Sequence, residues 1–126
     1  SLPWPTSGAV SMRFGVQYVE GLDKIKIDNP GITMETGLGE TVKVVFDGEV
    51  AAVINVANVQ AVIIRHGKYF TTYSNLSSVS VSKGATVKTG QQIGKAGKDD
   101  DGSGGQIDFI LMIESRNVDP APWLRR

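Results

Sequence analysis

Cysteine is absent from the 126-residue chain, so neither a disulfide framework nor thiol chemistry is open to it. Histidine occurs once, at His66. One imidazole cannot build a multi-histidine zinc site, and the chain has no G-x-S-x-G elbow to present a nucleophilic serine. Charge of either sign is not in excess. The 13 basic and 13 acidic residues cancel, which leaves no electrostatic footprint for nucleic acid. No apolar run approaches the roughly 20 residues of a membrane-spanning helix. The phosphate-cradling P-loop is missing, and Gly37-Leu38-Gly39-Glu40 lacks the continuation that a dinucleotide fingerprint requires. No segment sustains a 3.6-residue apolar period, so helix is expected only as short turns.

What is present is glycine, at 15 positions, and short runs of β-formers between turn signals. That spacing predicts an all-β fold, a sandwich of antiparallel sheets. The length suits a single domain, residues 1–126, with one core. The opening Ser1-Leu2-Pro3-Trp4-Pro5, without initiator methionine or signal peptide, reads as a domain excised from a longer protein. Residues 42–46 read as a strand that turns at Asp47-Gly48 into a second strand over 49–56. Residues 60–65 and 69–73 form another pair around the turn His66-Gly67-Lys68, and 75–78 suit one short helical turn. Residues 79–94 place short valine and isoleucine segments between glycines, and 104–115 supply a long late strand.

Candidate chemistry is sparse. The turn histidine His66 reads as structural. Asp99, Asp101, Ser103 and Gly104 match the start of a calcium loop, but Ile110 stands where the bidentate glutamate belongs, so the segment reads as a solvated loop. The late strand is more informative. Alternate residues of a strand share a face. Ile107, Phe109, Leu111 and Ile113 form a wholly apolar face aimed at a core. Gln106, Asp108, Ile110 and Met112 face a second surface, polar at one end and apolar at the other, as a binding groove would be.

The order of these pieces is similar to a known family. His66 to Leu76, then Val79 to Gly94, then the strand from Gly104, then Val118-Asp119-Pro120-Ala121-Pro122-Trp123-Leu124 resemble the LytM domain of lysostaphin-like zinc endopeptidases, peptidase family M23. The start at Leu2 to Gly15 and the stretch Gly31 to Gly48 also look like that domain. Active members hold zinc through H-x-G-x-D and H-x-H motifs and cut peptidoglycan cross-bridges. Here the first motif falls on Asn29-Pro30-Gly31-Ile32-Thr33, the second on Gln106 and Asp108, and a further catalytic histidine on Asn75, two residues after Tyr73. A catalytic zinc site takes three protein ligands, and of these residues only Asp108 is a good one. The resemblance therefore implies a pseudo-metallopeptidase with no cofactor.

The paired ends, Leu2-Pro3-Trp4-Pro5 and Pro120 to Leu124, resemble a subset of the family: degenerate LytM domains that activate cell-wall amidases. The subset implies a periplasmic protein of cell division with an upstream coiled coil. Its partner would be a zinc-dependent N-acetylmuramoyl-L-alanine amidase, whose autoinhibitory helix docks in the former active-site groove. Ile110 and Met112 would anchor that helix. Asn29, Thr33, Tyr73, Asn75, Gln106 and Asp108 would set its register. A non-catalytic peptidoglycan-binding module is the alternative. The glycine–valine turns of 87–94 are also similar to those of lipoyl-type carriers, but no lysine stands in an attachment motif.

Overall fold

A computed structural model describes residues 1–125. In chain order its strands are β1 (Ala9–Met12), β2 (Gly15–Val19), β3 (Leu22–Asn29), β4 (Ile32–Thr36), β5 (Thr41–Lys43) and β6 (Gly48–Val56), followed by β7 (Val59–His66), β8 (Tyr69–Val79), β9 (Thr86–Val87), β10 (Gln92–Lys98), β11 (Gly105–Ile113) and β12 (Arg116–Val118). One turn of 3-10 helix, Ala121–Trp123, is the sole helical element among the described residues. The all-β antiparallel class expected from the sequence is the class observed.

A ten-stranded sheet runs in the order β1-β4-β11-β10-β8-β7-β6-β9, with β5 on β10 and β12 on β11. The β2–β3 hairpin stands apart as a second, two-stranded sheet. The large sheet forks at Asn75. Up to Ser74, β8 pairs directly with β11; beyond it, β10 enters between them, with Ala96 opposite Leu76 and Gly97 opposite Gln106. Asn75 adopts the left-handed region at φ 63°. Its Nδ2 spans the fork, donating to the carbonyls of Lys98 (3.1 Å) and Gln106 (2.8 Å). The helical turn expected over 75–78 is therefore a correction: these residues continue β8, because β10 supplies the ladder partners that a local turn would forgo.

The core lies on one face of the large sheet. Ile107, Phe109, Ile64 and Tyr73 meet Val42, Val44, Val45, Val87 and Ile93 from the segments folded over them. Gly84 N donates to the Val50 carbonyl and Gly90 N to the Val44 carbonyl, which ties that second layer down. The expected hairpin at Asp47-Gly48 is not formed. β5 pairs with β10 and β6 with β7 and β9, while the Asp47 carboxylate accepts from Thr89 N (2.7 Å) and Oγ1 (2.9 Å). The hairpin at Gly67-Lys68 is formed, with Gly67 at φ +77°. The two ends of the chain meet: Leu2 N donates to the Trp123 carbonyl and Arg125 N to the Leu2 carbonyl, both at 2.7 Å.

His66 is structural, as its turn position suggested. Its Nδ1 lies 2.8 Å from the Asp47 carbonyl and its Nε2 lies 2.7 Å from Thr71 Oγ1. A carbonyl only accepts, so Nδ1 carries the proton of the neutral ring and Nε2 accepts. Burial holds the imidazole below the ordinary histidine value, against the Asp47 carbonyl, which pulls the other way. The folded state thus binds this proton less readily than the unfolded chain. Stability is full above the unfolded value near 6.5 and falls as the pH drops through it toward the lower folded value. Urea unfolding at pH 7.5 and pH 5 should show a loss at pH 5 that is smaller in His66→Gln. Equal losses in the two proteins would remove His66 as the cause.

Candidate functional site

Strand alternation and register together build one continuous surface on the face of the sheet away from the core. On β11 the core face is Ile107, Phe109 and Leu111, all buried, and Gln106, Asp108, Ile110 and Met112 are half-buried on the other side. Register extends this open face sideways. Ile110 sits opposite Thr72 of β8, Thr72 opposite Ile63 of β7, and Ile63 opposite Ala52 of β6. One row along the strands, Asp108 sits between Thr33 of β4 and Ser74 of β8, followed by Ala61 and Ile54. On the other side Met112 faces Phe70 and then Arg65. At about 4.8 Å per strand, the floor from β4 to β6 is about 19 Å wide.

The positions matched to the zinc ligands converge on this floor. Asn29 ends β3 and Thr33 lies in β4, with Gly31 between them pressed against β11. A Cβ on Gly31 would lie 2.0 Å from the Phe109 carbonyl oxygen, so only glycine lets the two strands meet there. Asn29 Nδ2 donates to Thr33 Oγ1 (3.3 Å), and Thr33 Oγ1 donates to Asp108 Oδ1 (2.7 Å) across 75 positions of sequence. Asn29 Oδ1 accepts from Gly31 N at 3.3 Å. Their polar groups are thus spent on one another. Asn29 and Thr33 are also buried, at 7% and 8% exposure, and offer little surface to a partner.

This donor set does not fit a catalytic zinc. Amide nitrogens have no lone pair to give, the Thr33 hydroxyl is committed to Asp108, and Asp108 is the one good ligand. Among the described residues no three His, Cys, Asp or Glu side chains lie close enough together to hold a metal ion.

Two of the remaining expected site residues change role. Tyr73 is a correction. It is fully buried, its ring lies 5.3 Å from that of Phe109, and its hydroxyl accepts from Val45 N (3.1 Å) and lies 2.9 Å from Thr71 Oγ1. Burial pushes the phenol well above its ordinary range. It holds the second layer to the sheet and cannot touch an occupant of the open face. Asn75 is half-buried beside the floor, but its amide closes the fork in the sheet. Sequence reading missed Phe70, Thr72, Ser74, Ala61 and Ile63, which contribute the other half of the floor.

A shallow cavity of about 360 Å³ opens beside Asn29, lined by Phe14, Asp28, Pro30 and Asn117. A larger one, about 550 Å³, lies toward the far end of β11 between Leu2, Phe46, Tyr69, Leu111 and Trp123. Among the described residues, Lys68 and Arg125 are the charged side chains of its lining, and none of the degenerate motif positions reaches it.

The chain matches the family model described as "Peptidase family M23" over residues 28–120, which includes every degenerate motif position. It is similar to the murein hydrolase activator EnvC of Escherichia coli, with 31% identity over 98% of this chain and 29% of that protein. It spans under a third of the length of each curated relative it matches. Among solved structures it is similar in fold to Csd3 of Helicobacter pylori (TM-score 0.83, 23% identity, 99% of this chain and 35% of the other). It is likewise similar to the antimicrobial peptidase lysostaphin of Staphylococcus simulans (TM-score 0.75, 23% identity, 96% and 51%).

Proposed function

The chain belongs to peptidase family M23, and from that premise we propose that it is a catalytically inactive LytM domain that activates a zinc-dependent N-acetylmuramoyl-L-alanine amidase. Its open sheet face receives the helix that otherwise blocks the amidase, so docking frees the enzyme to split peptidoglycan in the periplasm at division. The observation that carries this reading is the Asn29–Thr33–Asp108 chain. Three positions where the family places metal ligands meet in space and hydrogen-bond to one another. The likeness to a murein hydrolase activator supports the same reading.

The floor also suits a docked helix. A helix with its side chains is about 10 Å across, and two rows of floor residues lie about 7 Å apart along the strands. Ile110, Thr72 and Ile63 form an apolar-to-neutral row for anchors, and Asp108 and Ser74 form a polar row for register.

The test is to mix the domain with the amidase of the same organism and dye-labelled peptidoglycan. Dye release should rise well above that of the amidase alone. No rise, with the domain folded and the amidase competent, would sink the activator reading. Retention of the domain on purified sacculi in that case would favour the peptidoglycan-binding module.

A further inference from the structure

The open face is not uniform from side to side. At the β6–β7 end it is apolar: Ile54, Val56 and Val59 share its side, at 37%, 66% and 48% exposure. At the β4 end it is anionic. Glu35 is exposed on β4, in register with Gln106 and one row from Asp108. The loop after β10 brings Asp99, Asp100 and Asp101 to the same corner. Those three and Asp108 all act on Glu35, whose carboxyl is held above its ordinary value by burial first and by these four charges next. Among the described residues the one ion pair is Arg65–Glu49, in the row of Met112 away from this corner.

Resting on the docking reading above, we propose that the face fixes the direction of its occupant: an amphipathic helix lies across the strands with a lysine- or arginine-bearing end over Glu35, Asp108 and the 99–101 loop, and its apolar end over Ile54 and the β6–β7 hairpin. The distances suit this. About 19 Å from β4 to β6 matches about 13 helical residues, or between three and four turns. The acidic corner attracts the basic end and repels an acidic one, so the reversed orientation is disfavoured. Apolar contacts in the centre supply affinity, and the charged corner supplies direction.

The test uses two synthetic amphipathic peptides of about fifteen residues with the same leucine stripe. One ends in three lysines, the other in three glutamates. Fluorescence anisotropy is read against the domain, against Glu35→Lys/Asp100→Lys and against Ile110→Asp. Among the described residues neither Glu35 nor Asp100 makes a side-chain hydrogen bond, so the double variant should fold. The domain should bind the lysine-ended peptide about tenfold or more tightly at low salt, with the preference shrinking toward parity near 0.5 M salt. The double variant should reverse the preference. Equal binding of both peptides, lost in Ile110→Asp, would overturn the direction and leave docking intact. Binding of neither peptide by the unaltered domain would overturn the direction and the docking reading together.

Discussion

Ile110→Asp should abolish amidase activation while leaving the domain folded. Ile110 stands in the middle of the floor, half-buried between Thr72 on β8 and the edge of β4, and its side chain points away from the core. A carboxylate there would be desolvated beneath a docked helix, next to Asp108 on the same face. Central interface anchors of this kind are worth about 2 kcal/mol or more, so a loss of at least about 30-fold in affinity is expected. The cost to stability should stay near 1 kcal/mol, because no core contact is removed. Met112→Glu, one row along, should act in the same direction with a smaller effect. The measurements are dye release with the amidase and urea unfolding of each variant. Full activation by a folded Ile110→Asp protein would place the docking surface elsewhere.

Gly31→Ala should be the most destabilising single-methyl change in the site. The added Cβ would lie 2.0 Å from the Phe109 carbonyl oxygen, 2.8 Å from its carbon and 2.9 Å from the Ile110 Cα. All three are backbone atoms of the central strand, so no side chain can swing aside. The strands must part, and the Thr33–Asp108 hydrogen bond goes with them. A cost of about 4 kcal/mol or more is expected, out of a typical total of 5–15, with a fall in Tm of about 10–20 °C. Gly67→Ala is the control. Gly67 has φ +77° but nothing within 4 Å of the added carbon, so only conformational strain of about 1 kcal/mol is expected. Similar losses in the two variants would contradict the steric account of Gly31.

That contrast also explains how the degenerate motif is built. Asn29-Pro30-Gly31-Ile32-Thr33 departs from the family pattern at both ligand positions but keeps its glycine. The ligand positions carry chemistry; the glycine carries the approach of β4 to β11. A chain can lose the first without losing the fold.

The sequence made some of this surface readable and hid the rest for definite reasons. The two faces of β11 needed only a period of two, and the burial of Ile107, Phe109 and Leu111 follows it. Tyr73 went astray because a motif match put it in the groove. Register puts it opposite Phe109 and Thr71 opposite Leu111, both on the core side. The floor residues on β7 and β8 could not be placed, because which strand lies beside β11, and in what register, is a long-range property. The Asp47-Gly48 pair looked like a hairpin turn, yet Asp47 caps the Thr89 segment instead. Conversely, β6 and β7 turn at Ala57-Asn58 with both residues at positive φ, a geometry usually announced by Asn-Gly or Asp-Gly. The acidic corner was half visible as the run Asp99-Asp100-Asp101, but Glu35 joins it only through the pairing of β4 with β11.

The fork at Asn75 has a consequence for how the surface comes into being. β11 is flanked by β4 on one side and by β8 and then β10 on the other, so it is the piece that joins the first third of the chain to the middle. Thr33 and Asp108 must find each other across 75 positions, and that closure costs entropy before it returns any contact. The half of the floor on β6, β7 and β8 pairs along consecutive strands, and the other half depends on this long-range closure. A chain cut before Gly105 loses Asp108, Ile110 and Met112 and also leaves β4 and β8 without a partner along their shared edges. On the docking reading, the face is complete only once the last long strand is in place.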